Sequence, residues 1–162
     1  MRSSLNFAFK TNSYRNFSNK VHLLVMTSSK TIRCILLIDD DPDDNFLHRL
    51  VIEDSGYCDR VEVAENGQQA LSYLTNQSAP NYCRPEVILL DINMPGMNGF
   101  EFLAEYEKLD PSYQAKVVLI MLTTSLNPDD QRRANAHNVV IGYKSKPLTR
   151  KMLDEIVEEH FS

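Results

Sequence analysis

The chain has 162 residues, of which 43% are hydrophobic and 24% are charged, with five glycines and no tryptophan. This composition excludes a collagen-like repeat, a low-complexity chain and a wholly disordered chain, and the length fits one domain with or without a tail. No apolar run approaches the roughly 18 residues that a membrane span needs, so we expect no span.

Charge is distributed unevenly along the chain, although the net charge is only −5. Residues 1–30 hold five basic side chains and no acid, whereas the other 132 residues carry 12 basic and 22 acidic side chains, a net charge of −10. A body this acidic is a poor candidate for nucleic-acid binding, which depends on positive charge near the phosphates. It suits a Mg²⁺ site or a basic partner.

Residues 1–30 lie outside the regular pattern of the rest of the chain. They are rich in Ser, Asn and basic residues and show neither a helical nor a strand period. We expect a disordered extension, an organellar presequence, or upstream sequence joined to a chain that begins at Met26.

The three cysteines, Cys34, Cys58 and Cys83, show no spacing typical of a zinc site or a disulfide framework. They favour a reducing compartment, and we expect a cytoplasmic protein.

Short apolar runs alternate with amphipathic segments from residue 32 onwards. The five predicted strands are, in chain order, residues 34–38, 61–63, 87–90, 117–122 and 139–141. Runs that are apolar on both faces, such as 34–38 and 87–90, are typical of central parallel strands. A helix is predicted after each strand. The apolar faces of four of them carry Phe46, Leu47, Leu50 and Val51, then Ala70, Leu71 and Leu74, then Phe102, Leu103 and Tyr106, and finally Leu148, Met152 and Ile156.

Helix boundaries are marked by proline, asparagine and glycine. Pro42 stands where a first helical turn tolerates proline, with Asp43 and Asp44 expected to be solvated capping acids, and Gly56 ends that helix. Asn127 opens the polar fourth helix. Five strands alternating with five helices predict an α/β fold, with right-handed crossovers and a parallel sheet covered on both faces.

Polar side chains follow the predicted strands at their carboxyl ends. They are Asp39, Asp40 and Asp41 after the first strand, Asp91 after the third, Thr123 and Thr124 at the end of the fourth, and Lys146 after the fifth. Ligands of parallel α/β sheets bind at this edge. We therefore expect carboxylates, a hydroxyl and an ammonium to converge there.

The chemistry of such a cluster points to phosphoryl transfer. Crowded carboxylates repel unless a cation joins them, and hard oxygen ligands suit Mg²⁺. With Asp39, Asp40 and Asp91 ionised, Mg²⁺ and Lys146 bring the site near neutrality. An aspartate can act as the nucleophile, and metal, lysine and hydroxyl groups stabilise phosphoryl oxygens. The sequence predicts that Asp91 is phosphorylated.

Four motifs in order resemble the receiver domain of two-component response regulators. They are residues 35–40 (ILLIDD), 87–99 (VILLDINMPGMNG), 121–124 (MLTT) and 142–147 (GYKSKP). The resemblance implies a flavodoxin-like (βα)5 fold with strand order 2-1-3-4-5, with residues 31–162 forming the receiver domain.

Site roles carried over from this resemblance begin with Asp91, which matches the phosphoacceptor. Asp39 and Asp40 match the acid pair that serves a divalent metal, Mg²⁺ or Mn²⁺. Asp91 itself and the backbone carbonyl of Asn93 match the remaining protein ligands of that metal.

Three further positions match the groups that respond to the phosphoryl group. Thr123 matches the hydroxyl that bonds it and Lys146 the lysine that pairs with it. Tyr143 matches the switch aromatic, which turns inward when Thr123 is drawn to the phosphate. The bond between Lys146 and Pro147 is expected to be cis.

Two positions depart from the commonest pattern of the family. Thr124 stands where alanine is usual, and Asp41 adds a third acid to the first loop. Neither change removes a required group. The resemblance is greatest to short, stand-alone regulators, so we expect output from the face formed by helix 4, strand 5 and helix 5, in a monomer or a phosphorylation-dependent dimer.

Expected partners are a sensor histidine kinase or a histidine phosphotransfer protein, docking near the first helix, and an unknown downstream protein. A phosphorelay intermediate or phosphate sink stays open as an alternative. A haloacid-dehalogenase-like phosphohydrolase is disfavoured because its second carboxylate is missing after Asp91, and an inactive docking module is disfavoured because the acid pair, Asp91, Thr123 and Lys146 are intact. The four histidines, His22, His48, His137 and His160, are interpreted as surface or helix residues without a shared site.

Overall fold

The computed structural model describes residues 32–116 and 118–161. The predicted extension at residues 1–30, including Met26, lies outside the described residues. Among the described residues, no helix has the length and apolar character needed to cross a membrane.

Five parallel strands form one sheet in the order 2-1-3-4-5, as predicted. The strands are β1 (Ile35–Ile38), β2 (Val61–Ala64), β3 (Val87–Leu90), β4 (Val118–Thr123) and β5 (Gly142–Ser145). The helices are α1 (Pro42–Ser55), α2 (Gly67–Thr75), α3 (Gly99–Tyr106), α4 (Pro128–Asn135) and α5 (Arg150–His160), with a 3₁₀ turn at Pro111–Tyr113.

The central strands bury both faces, which explains their unbroken apolar runs. Leu36 and Ile38 of β1 pack with residues of α2, α3 and α4, whereas Ile35 and Leu37 pack with residues of α1 and α5. Because side chains alternate along a strand, a run of four apolar residues supplies two to each layer. The sequence prediction of a sheet covered on both sides is confirmed.

Local capping chemistry sets the helix starts. The Asp41 side chain accepts hydrogen bonds from the backbone N–H groups of Asp43 and Asp44, with Pro42 in the first turn, and Gly56 ends α1 at a φ of +71°. Thr149 caps α5. Leu148, predicted within that helix, precedes the cap but is buried in the same cluster as Leu153, as in a hydrophobic staple.

The predicted fifth strand at residues 139–141 is wrong by three positions. The Val140 N–H donates to the His137 carbonyl at 3.1 Å in a turn after α4, and pairing with β4 begins only as the Ile141 N–H donates to Leu119. Val139 and Val140 pack against the core from this turn. The strand that follows is half-buried at the sheet edge, so its own residues carry no apolar run.

The apolar residues predicted to bury α1 are instead largely outside the core. Phe46, Leu47 and Leu50 are 65%, 49% and 53% exposed. The buried positions of α1 are Asn45, His48, Ile52 and Ser55. His48 is a helix residue, as interpreted, but its side chain is 1% exposed and does not lie at the surface.

Gly99 is needed where α3 starts against the end of β3. A Cβ there would overlap the backbone oxygen of Asp91 and lie 2.8 Å from the Cα of Ile92. We expect Gly99→Ala to lower the free energy of unfolding by about 2 to 3 kcal/mol, because the backbone must move. Urea unfolding monitored by circular dichroism measures the change in the free energy of unfolding.

A matched control is Gly96→Ala. Gly96 has a φ of +74° and open space where a Cβ would stand. The control should lose only about 1 kcal/mol, from backbone strain. An equal or larger loss for Gly96→Ala would contradict this account of Gly99.

Candidate functional site

Backbone hydrogen bonds of the sheet continue beyond the strands and fix the residues at their carboxyl ends. The Asp39 N–H donates to the Ala64 carbonyl at 3.1 Å, and the Asp91 N–H donates to Ile38 at 2.9 Å. The Lys146 N–H donates to the Thr123 carbonyl at 2.9 Å. The site residues after β1, β3 and β5 are thus held by the ladder rather than by mobile loops.

One ammonium group joins three carboxylates at this edge. Lys146 Nζ lies 2.6 Å from Asp39 Oδ2, 2.8 Å from Asp44 Oδ2 and 3.2 Å from Asp91 Oδ2. The Lys146 side chain is only 7% exposed. Burial alone would lower the pKa of Lys146, but its hydrogen bonds to Asp39 and Asp44 raise that pKa above its ordinary value. The amine is therefore charged at neutral pH.

Carboxylate oxygens that could bind a cation lie close together at this edge of the sheet. Single oxygens of Asp39, Asp40 and Asp91 all lie within 4.8 Å of one another. Asp91 Oδ1 is buried and has no hydrogen-bond partner among the described residues. The pKa of Asp39 is raised above its ordinary value, mainly by burial and also by the charge of Asp91. Hydrogen bonds from Lys146 and from the Asp41 backbone lower this pKa but do not cancel the rise. A hard divalent cation would relieve this crowding, so the donor set fits Mg²⁺ or Mn²⁺.

Thr123 and Tyr143 are linked through Ser125. The Thr123 side chain is fully buried, and its Oγ1 accepts from the Ser125 N–H at 3.1 Å. The Tyr143 hydroxyl donates to the Ser125 carbonyl at 3.2 Å, and the Ser125 hydroxyl donates to Asp130 Oδ2 at 2.5 Å. Burial raises the pKa of Tyr143, which keeps its hydroxyl protonated as a donor.

Asn93 lies two residues after Asp91 in the loop before α3, and its side chain is exposed. The bond between Lys146 and Pro147 is cis, as expected. Thr124 directly follows β4 and its side chain is exposed.

Two polar residues of α1 belong to the site although neither was predicted there from the sequence. Asp44, expected to be a solvated cap, contacts Lys146. Asn45 is buried, and its Nδ2 donates to the Asp39 carbonyl at 2.7 Å. The signal that could have found Asn45 is the spacing of polar residues 45, 48 and 55, which turn the same side of α1 toward the sheet.

His48 lies on that buried side of α1, close to the acids of the site. Burial lowers the pKa of His48, although the negative charge of Asp44 acts in the opposite direction. The imidazole is therefore neutral at physiological pH, and its Nε2 has no hydrogen-bond partner among the described residues.

The sequence of this chain is similar to those of known proteins. The sequence matches the response regulator receiver domain over residues 35–158. It is 34% identical over 125 residues to a probable methanogenesis regulatory protein, FilR2 of Methanothrix harundinacea, covering 77% of this chain and 79% of the relative.

Two solved structures share the fold. A two-component response regulator from Cytophaga hutchinsonii superposes with a TM-score of 0.72 at 33% identity, over 80% of this chain and 96% of that one. The phosphorylated cyanobacterial phytochrome response regulator RcpA superposes with a TM-score of 0.62 at 31% identity, over 78% and 89%. The match across most of both sequence and fold leads to one conclusion: this chain belongs to the response regulator receiver domain family.

Proposed function

We propose that this receiver domain accepts a phosphoryl group on Asp91 from a phosphohistidine of a sensor kinase or phosphotransfer protein. The observation that carries the proposal is the buried Lys146 ammonium, 3.2 Å from Asp91 beside a carboxylate cluster suited to a divalent cation. In the transfer, a carboxylate oxygen of Asp91 attacks phosphorus while the bond from phosphorus to the histidine nitrogen breaks. The family relation supports a role as a signalling phosphoacceptor rather than as an enzyme with a separate substrate.

The residues that would hold Mg²⁺ or Mn²⁺ are Asp39, Asp40, Asp91 and the backbone carbonyl of Asn93. Bound there, the cation would supply positive charge to the phosphoryl oxygens. Lys146 supplies a second positive charge from the carboxyl end of β5 and needs no proton transfer to do so. Water later hydrolyses the acyl phosphate, and Asn93 and Ser125 flank the site where they would tune its lifetime.

Signalling follows from the link between the hydroxyl of Thr123 and the ring of Tyr143. If Thr123 turns toward the phosphoryl group, the hydrogen bond that its Oγ1 accepts from the Ser125 N–H is lost or redirected. Because the Tyr143 hydroxyl donates to the carbonyl of the same Ser125, this change reaches Tyr143. Phosphorylation thereby shifts an existing equilibrium at the face of α4, β5 and α5. An unknown downstream protein, or a second copy of this chain, reads that change.

Docking of the phosphodonor is proposed at the exposed apolar residues of α1. Phe46, Leu47 and Leu50 form this surface, and α1 begins directly after the acids of the first loop. A protein covering them would bring its phosphohistidine close to Asp91. Apolar side chains exposed to this extent on one helix are typical of protein contact surfaces.

Labelling with a small phosphodonor tests the acceptor. Incubation with acetyl phosphate and Mg²⁺ should retard the protein on a phosphate-affinity gel, and Asp91→Asn should abolish the retarded band because the nucleophile is lost. Asp43→Asn, which removes an exposed acid outside the cluster, should label like the natural protein. Persistent labelling of Asp91→Asn, or turnover of added phosphomonoesters, would refute the assignment.

Metal binding should stabilise the fold. At a Mg²⁺ concentration ten times its dissociation constant, linkage adds about 1.4 kcal/mol to the free energy of unfolding, a rise of a few degrees in Tm. Asp40→Asn should remove most of this gain, because Asp40 is the most exposed acid of the cluster and its loss disturbs packing least. Calorimetry with KCl at matched ionic strength is the control, and an equal rise with KCl would exclude a specific site.

Transfer from a protein donor should depend on α1, whereas transfer from acetyl phosphate should not. Phe46→Ala and Leu50→Ala together should slow labelling by a phosphohistidine-bearing protein by about tenfold or more, through lost apolar contact. Leu126→Ala, which truncates a side chain 87% exposed in the loop after β4, serves as the control. Equal slowing by both donors would show that the substitutions act on the site and not on docking.

A further inference from the structure

Lys146 has one carboxylate partner that lies outside the predicted metal and acceptor residues. Asp44 Oδ2 accepts its hydrogen bond at 2.8 Å, closer than Asp91 at 3.2 Å. Asp44 stands in the first turn of α1, where its backbone N–H donates to Asp41 Oδ1 at 3.2 Å. A capped helical turn therefore fixes the position of this carboxylate.

Asp44 changes the charge balance of the site. Three acids, one lysine and a divalent cation would sum to zero, but a fourth carboxylate leaves one negative charge before any phosphoryl group arrives. Transfer of a phosphoryl group to Asp91 then adds about one further negative charge, because the acyl phosphate carries about −2. Like charges held within a buried cluster repel, so Asp44 raises the free energy of the phosphorylated form.

Asp44 also competes for the ammonium itself. A lysine has three N–H donors, and in this structure three carboxylates surround them. A phosphoryl group on Asp91 offers new acceptor oxygens that only a released donor can bind. The side chain of Asp44 is 30% exposed, against 5% for Asp39 and 7% for Asp91, so water most readily replaces its contact.

We propose that Asp44 is a positioning residue that draws Lys146 away from the phosphoryl site and so shortens the life of the phosphorylated state. The inference rests on the proposed function and deepens it, because it names the group that sets how much of the protein is phosphorylated. Both the charge and the competition act in the same direction. Asp44→Asn keeps an acceptor oxygen for the lysine but removes the charge.

Binding of beryllium trifluoride in saturating Mg²⁺ tests the proposal without a transfer reaction, since this anion resembles a phosphoryl group. Asp44→Asn should lower the concentration for half-occupancy by about threefold to tenfold, as expected for one partly exposed charge. Titration calorimetry measures the affinity. After labelling with acetyl phosphate and removal of the donor, the half-life of the phosphorylated form should lengthen by a similar factor.

Asp43→Asn is the matched control. Asp43 lies in the same first turn and is exposed, and its loss removes the same charge from the helix start. It should leave the affinity for beryllium trifluoride and the half-life unchanged. Asp44→Glu, which keeps the charge, should give values close to those of the natural protein. Urea unfolding of both asparagine variants checks that the fold is retained to the same extent.

The outcomes separate the two proposals. If the natural protein neither binds beryllium trifluoride nor labels, the proposed function fails. If it does both, but Asp44→Asn matches Asp43→Asn or binds more weakly, the role of Asp44 is overturned and the phosphoacceptor assignment stands.

Discussion

Repulsion among carboxylates at one edge of the sheet is the constraint on which the site depends. Asp39, Asp44 and Asp91 would not share so small and buried a space without the ammonium of Lys146 between them. The pKa of Asp39 is raised by burial even with this partner, so the cluster is still short of positive charge. Such a site would gain from an added cation and be perturbed by an added anion, which supports the proposed response to a phosphoryl group.

The parallel sheet supplies the geometry that this chemistry needs. Asp39, Asp91 and Lys146 come from β1, β3 and β5, and each donates its backbone N–H to a neighbouring strand. The positions of their side chains therefore follow from the register of the sheet. Buried apolar residues on both faces of the central strands hold that register, which makes the core and the site parts of one arrangement.

Helix α1 packs on the core through Ile52, but its N-terminal part buries polar side chains and exposes apolar ones. It turns Asn45 and His48 inward and leaves Phe46 and Leu50 exposed. The polar inner side is explained by the site it covers, since Asn45 donates to the Asp39 carbonyl and Asp44 contacts Lys146. The apolar outer side is free to meet another protein next to the acceptor.

Sequence by itself determined the class of fold, the strand order implied by resemblance, and the convergence of acids 39, 40 and 91 with Lys146. The fold class and the convergence follow from local patterns, because apolar runs, capping residues and strand ends are read from neighbouring positions, whereas the strand order came from the family resemblance. Tertiary structure decided where β5 begins, which side of α1 is buried, and that Asp44 contacts a lysine 102 residues away. Such contacts depend on how a helix is rotated against the sheet, and an acid in a first helical turn has the same local signature whether it meets solvent or a buried ammonium.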